Sequence, residues 1–150
     1  MRAVVQRVSQ ASVTVNQKMI GAIDKGFMVL LGIHSEDTPE DVEWLAAKLI
    51  GMRVFPDGDG KMNLDICEVK GGFLVVSQFT LHARYKKGNR PSFVEAARPD
   101  HAIPLYTHFV NFLREQSGCK VETGEFGAMM DVHLNNDGPV TLVLDTRNKE

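Results

Sequence analysis

Residues 26–33 read GFMVLLGI, an apolar run closed at its start and near its end by Gly26 and Gly32. A strand with one wet face alternates apolar and polar side chains. A short run without alternation instead predicts a strand covered on both faces. Gly72–Thr80 (GFLVVSQFT) is a second run of this kind and predicts a second buried strand. Two strands that bury both faces need a layer on each side. Helices supply one of them. Thr38-Pro39-Glu40-Asp41 places an N-cap, a proline at the first helical position and acids in the first turn. Val42, Leu45, Ala46, Leu49 and Ile50 follow as an apolar stripe that Gly51 stops. A second helix is predicted from about Ile103 to Gln116, with Pro104 confined to its first turn and Gly118 after it.

Strands are predicted on either side of this centre. Arg2–Val8 and Ala11–Val15 are rich in valine, and Asn16-Gln17-Lys18 turns the second of them into Met19–Ile23. A short strand at Arg53–Phe55 leads into turn-rich Pro56–Gly60. Two last strands, Met130–Asn135 and Val140–Asp145, flank Asn136-Asp137-Gly138-Pro139, which on pattern alone reads as a hairpin turn. No repeat or linker divides the chain. The expected fold is α/β, a single domain over residues 1–150 with a mixed sheet and helices on one side.

A formal net charge of −2 gives no protein-wide positive field, so any RNA contact must come from a local patch. Cys67 and Cys119 stand apart, with no CxxC and no histidine at ligand spacing. They read as reduced thiols and favour the cytoplasm. No segment resembles a signal peptide or a membrane span.

The usual catalytic kits are missing: no GxSxG, no HExxH, no phosphate-binding loop. The five histidines are scattered, and Asp57-Gly58-Asp59-Gly60 lacks the rest of a calcium loop, so neither metal nor cofactor is expected. Three segments remain. Ser77-Gln78-Phe79-Thr80 puts polar residues at the end of a buried strand, where Ser77 or Thr80 can serve as hydrogen-bond donor or nucleophile. Otherwise it is a strand fading into a loop. Asn136–Pro139 is the second, with a trans Gly138-Pro139 bond expected because only about 5–6% of X-Pro bonds are cis. The third is Arg84, Lys86, Lys87, Arg90 and Arg98, with Tyr85 and Phe93 interleaved: a phosphate and base-stacking patch, or else a solvated basic loop.

Taken together, MRAVVQRVSQASVTV (1–15), GFLVVSQFTL (72–81), GNRPSF (88–93) and GEFGAMMDVHLNNDGPVTL (124–142) resemble the D-aminoacyl-tRNA deacylase family over nearly the whole chain. The resemblance implies a three-layered fold, with helices on one side of a sheet and further strands packed behind it. It also implies a homodimer with two sites, each at the subunit interface, and aminoacyl-tRNA as substrate. One subunit would supply Ser77, Gln78, Phe79 and Thr80. The other would insert Gly138-Pro139, with a cis bond, braced by Arg7 and Met129. The Gly-Pro main chain would exclude L side chains, so that D-aminoacyl-tRNA, and to some degree glycyl-tRNA, is cleaved. Water attack would be helped by the free ribose hydroxyl and by backbone N–H groups near Phe79 and Thr80. Two readings compete with this one: a dimeric nucleic-acid-binding module without turnover, and an esterase with Thr80 as nucleophile. His82 stands where relatives often carry an aromatic, which puts local substrate contacts in question.

Overall fold

The computed structural model describes residues 1–150. The strands are β1 (Arg2–Val15), β2 (Lys18–Ile23), β3 (Gly26–Gly32), β4 (Phe55–Pro56), β5 (Met62–Leu64), β6 (Gly72–Ser77), β7 (Lys120–Thr123) and β8 (Asp131–Asp145), with helices α1 (Pro39–Ile50) and α2 (Pro99–Ser117). Six strands form one sheet in the order β2-β1-β3-β6-β7, with β8 also paired to β1, while β4 and β5 make a small separate hairpin. β1 runs antiparallel to β2, β3 and β8, whereas β3, β6 and β7 are parallel neighbours. The sheet is mixed, as expected.

The two apolar runs are covered on both faces. Phe27, Val29 and Leu31 of β3, with Phe73 and Val75 of β6, face the helices and join Val42, Leu45 and Leu49 of α1 and Leu105, Phe109 and Leu113 of α2 in the main core. Met28, Leu74 and Val76 face the opposite way and meet Val8, Ala11, Val13 and Ile23. One chain, β1, therefore serves both layers: Ala3 and Val5 lie in the helix-side core and Ala11 and Val13 in the other. The switch is a bulge. Val8 pairs with Asn136 and Gln10 with Asn135, so Ser9 has no opposite residue. An extra residue flips every later side chain to the other face. The far half of β1, with β2 and the start of β8, thus packs behind the sheet.

Several boundaries differ from the sequence reading. Arg2–Val8 and Ala11–Val15 are one strand, because the bulge keeps the ladder to β8 going where Ser9 and Gln10 look like a break. Met130–Asn135 and Val140–Asp145 are likewise one strand, so Asn136–Pro139 is no hairpin turn. α2 begins at Pro99, which takes the first-turn place assigned to Pro104. Pro104 sits inside the helix and leaves the Asp100 carbonyl without its usual donor. The short strand expected at Arg53–Phe55 is found as β4 at Phe55–Pro56, while β5 and β7 carry too little periodicity to be seen in the sequence.

Candidate functional site

β6 ends beside β3, with Ser77 opposite Leu31, and Gln78 N–H still donates to the Leu31 carbonyl at 2.8 Å. Phe79–His82 then closes as a 3-10 turn instead of continuing the strand predicted to Thr80. The turn lies so close to β3 that a Cβ on Gly32 would stand 2.9 Å from Leu81 Cβ and 3.0 Å from the Gln78 carbonyl. Only glycine permits that approach. Arg2 reaches across and donates through Nη1 to the Leu81 carbonyl at 2.7 Å. The loop bonds that fasten the turn start at Leu81 and Ala83, and Phe79 and Thr80 stand ahead of them as its first two residues. Free N–H groups at the start of a helical turn are donors awaiting an acceptor. The Thr80 hydroxyl accepts from the Gln78 side-chain amide and has no histidine or carboxylate beside it.

Ser77, Gln78 and Phe79 line one side of a mostly apolar cavity of about 360 Å³, and Phe126, Met129 and Met130 line another. Thr80 does not reach its wall. Tyr106 backs Phe126 with ring centroids 5.8 Å apart, while its hydroxyl donates to the Val75 carbonyl at 2.8 Å. Burial pushes the Tyr106 phenol up to about 12, so it remains a neutral donor. Sequence reasoning gave neither residue a role, since their meeting joins a helix to a segment far along the chain. The rim is bare: Phe79 is 56% exposed and Met129 92% exposed, which a lone apolar side chain at a cavity mouth tolerates but a finished site does not need.

Gly138 and Pro139 lie elsewhere. Gln6 pairs with Thr141 and Val8 with Asn136, so the four residues Asp137–Val140 stand opposite the single residue Arg7. They form a bulge on the edge strand, and the Gly138-Pro139 bond is cis rather than trans. Arg7 holds the bulge from beneath. Its Nε donates to the Asp137 carbonyl at 3.0 Å and its Nη1 to the Val54 carbonyl at 2.5 Å, with the Asp137 carboxylate 3.4 Å away. Only 8% of Arg7 is exposed, so this is a buried charge, with Nε and Nη1 each engaged by a carbonyl. Within one chain, then, Met129 joins Ser77–Phe79, Arg7 joins Gly138, and the two groups do not line a common cavity.

Arg84 pairs with Glu95, which it holds well below the usual carboxylate range, so this arginine is partly spent on structure. Arg84 and Ser92 exchange backbone bonds of 2.8 and 2.9 Å and close a loop from whose tip Lys86, Lys87 and Arg90 project without ion-pair partners. Arg98 caps α2. Phe93, read as a stacking residue of the patch, instead meets Phe79 edge-on, with centroids 5.1 Å apart and rings at 77°. His82 is buried, T-shaped against His34, and outside the cavity lining. Burial lowers its basicity and its Nε2 has no partner. Cys67 and Cys119, distant in sequence, lie with sulfurs 3.6 Å apart as free thiols, and burial with the neighbouring thiol raises Cys67 to about 11.

A family model described as D-Tyr-tRNA(Tyr) deacylase matches residues 4–145. A protein named D-aminoacyl-tRNA deacylase from Thermus aquaticus is 58% identical, covering 99% of this chain and 97% of its own. One of the same name from Flavobacterium johnsoniae is 55% identical over the full length of both. Among solved structures, the c-Myc DNA Unwinding Element Binding Protein superposes with a TM-score of 0.90 at 43% identity, covering 97% of this chain and 98% of its own. A probable eukaryotic D-amino acid tRNA deacylase shares the fold, with a TM-score of 0.83 at 20% identity over 95% of this chain and 97% of its own.

Proposed function

This chain belongs to the D-Tyr-tRNA(Tyr) deacylase family, and from that premise we propose that two copies of it build each reaction site. The activity is that of a D-aminoacyl-tRNA deacylase, a hydrolase that cleaves the ester joining a D-amino acid to tRNA and so edits mischarged tRNA. The Ser77–Phe79 cavity receives the aminoacyl end, and Gly138-Pro139 of the second copy closes it. The observation that carries this reading is the division within one chain. An open, apolar-rimmed cavity stands at one place and a bulge braced by Arg7 at another, each incomplete alone.

An aminoacyl ester is already activated, so the protein needs to position it and to meet the charge that develops on the carbonyl oxygen. The N–H groups of Phe79 and Thr80, at the start of the turn, suit that oxygen, and the neighbouring ribose hydroxyl of the tRNA orients the water. Main chain facing the substrate α-carbon blocks an L side chain and leaves a D side chain room to point outward. Glycine offers nothing to exclude, so glycyl-tRNA is cleaved to some degree. Met129 extends the cavity wall, and Lys86, Lys87 and Arg90 meet the tRNA backbone. Thr80 as a nucleophile is disfavoured because no base lies beside its hydroxyl.

Deacylation of matched D- and L-tyrosyl-tRNA by the purified protein tests the reading. Rapid hydrolysis of the D form alone is expected. Binding of both without turnover would instead support a nucleic-acid-binding module, the role carried in the name of the c-Myc DNA Unwinding Element Binding Protein.

A further inference from the structure

We propose that Phe93 is a positioning residue for the deacylation. Its ring holds the Phe79 side chain, and with it the Phe79–Thr80 backbone, and so ties the basic loop to the reacting end of the cavity. The inference rests on the reading of Ser77–Thr80 as that reacting end.

Phe79 needs such a support. Within one chain 56% of its surface is exposed, and exposed side chains change rotamer in picoseconds to nanoseconds until the second copy closes the cavity. Phe93 supplies an edge-to-face contact at 5.1 Å and 77°, a favoured geometry for two aromatic rings. The support is itself anchored. Ala96 N–H donates to the Phe93 carbonyl at 3.0 Å, Ala97 N–H to the Ile33 carbonyl at 2.9 Å and Ser35 N–H to the Glu95 carbonyl at 2.9 Å. These bonds lace the segment after Phe93 to the end of β3, the strand beside β6. On its other side Phe93 follows Ser92, which closes the basic loop through its paired bonds with Arg84, while Glu95 holds the Arg84 guanidinium. The loop tip with Lys86, Lys87 and Arg90 and the backbone of Phe79 are thus joined through one aromatic contact. Phe93 acts on Phe79 and not on the phosphates, so a substrate that lacks the phosphates still finds Phe79 held.

The test compares wild type with Phe93→Ala, Phe93→Leu and Phe93→Tyr on two substrates, D-tyrosyl-tRNA and the D-tyrosyl ester of adenosine, with melting temperature followed throughout. Phe93→Ala is expected to lower kcat on both substrates by about two- to tenfold, the worth of one aromatic pair, with KM for tRNA nearly unchanged. Phe93→Leu keeps the bulk without the ring edge and should show the same loss if Phe93→Ala folds poorly. Phe93→Tyr should restore kcat. Wild-type kcat in folded Phe93→Ala or Phe93→Leu overturns the proposal, as does a raised KM for tRNA with a normal rate on the small ester, which makes Phe93 a tRNA contact instead. A separate variant, Ala128→Phe, narrows the cavity without touching Phe93. Turnover that survives it sinks the site reading, whereas turnover lost there and intact in Phe93→Ala sinks the positioning role alone.

Discussion

Gly138 shows what one residue carries. Its φ is +128°, a conformation that L side chains rarely adopt, and an added Cβ would stand 3.0 Å from Val140 Cγ2 and 3.1 Å from Arg7 Nη2. Arg7 is committed to the carbonyls of Asp137 and Val54 and has little room to give. Gly138→Ala is therefore expected to move the bulge, at a cost of about 1–3 kcal/mol in local strain. The bulge sits at an edge, so global stability should fall little while kcat/KM on D-tyrosyl-tRNA drops at least about tenfold, since small misplacements at a reacting centre are costly. Steady-state kinetics beside a thermal melt checks this, and a variant with wild-type turnover would show that Gly138 faces no substrate. Not all of this was legible. Arg7 is an arginine within a valine-rich strand, and such a residue is either an edge or a buried charge with a job. The resemblance selected the second, and its three acceptor contacts now give the reason. The pairing of Cys67 with Cys119 and the burial of His82 beside His34 depend on contacts between residues far apart in sequence, for which local pattern holds no signal.

Elements were legible where one rule dominated. β3 and β6 announced themselves as runs without alternation because they bury both faces, and α1 because its cap, proline and stripe agree. The failures lie where two rules compete. Ser9 and Gln10 read as a break, yet a bulge carries β1 through them. Asn136–Pro139 has the composition of a turn, yet Asn136 before the bulge and Thr141 after it stay paired to β1. Turn chemistry describes the local backbone and is silent on whether the chain reverses. In the basic loop Arg84 is engaged with Glu95, which leaves Lys86, Lys87 and Arg90 as the free cations. Replacing Lys86 and Lys87 by Ala should raise KM for tRNA, flatten the salt dependence of kcat/KM by up to about two in log–log slope, and leave kcat nearly intact. An unchanged salt slope would make the loop a solvated surface.

At the scale of the whole molecule, the chain presents a long unpartnered edge. β8 runs from Asp131 to Asp145 and bonds only to β1, so its outer edge offers a row of free backbone groups. Natural proteins cover or blunt such edges. Nearby surfaces are apolar as well: Val143 is 68% exposed and Met129 92% exposed. A second copy pairing through a two-fold axis would cover both surfaces and bring each Gly138-Pro139 bulge to the other chain's cavity, giving two equal sites. Sedimentation equilibrium should therefore give twice the 16.7 kDa of one chain at micromolar concentration. Mass alone does not place the sites, but mixing does. Ala128→Phe blocks the cavity and Gly138→Ala displaces the bulge, so homodimers of either keep about a tenth of wild-type activity or less. Unfolded together and refolded as an equimolar mixture, half the dimers are mixed on random pairing. In each of these, one site combines both lesions and the other combines an intact cavity with an intact bulge. Activity should return to about a quarter of wild type. If each site were built within one chain, every site in the mixture would carry one lesion, and no activity would return.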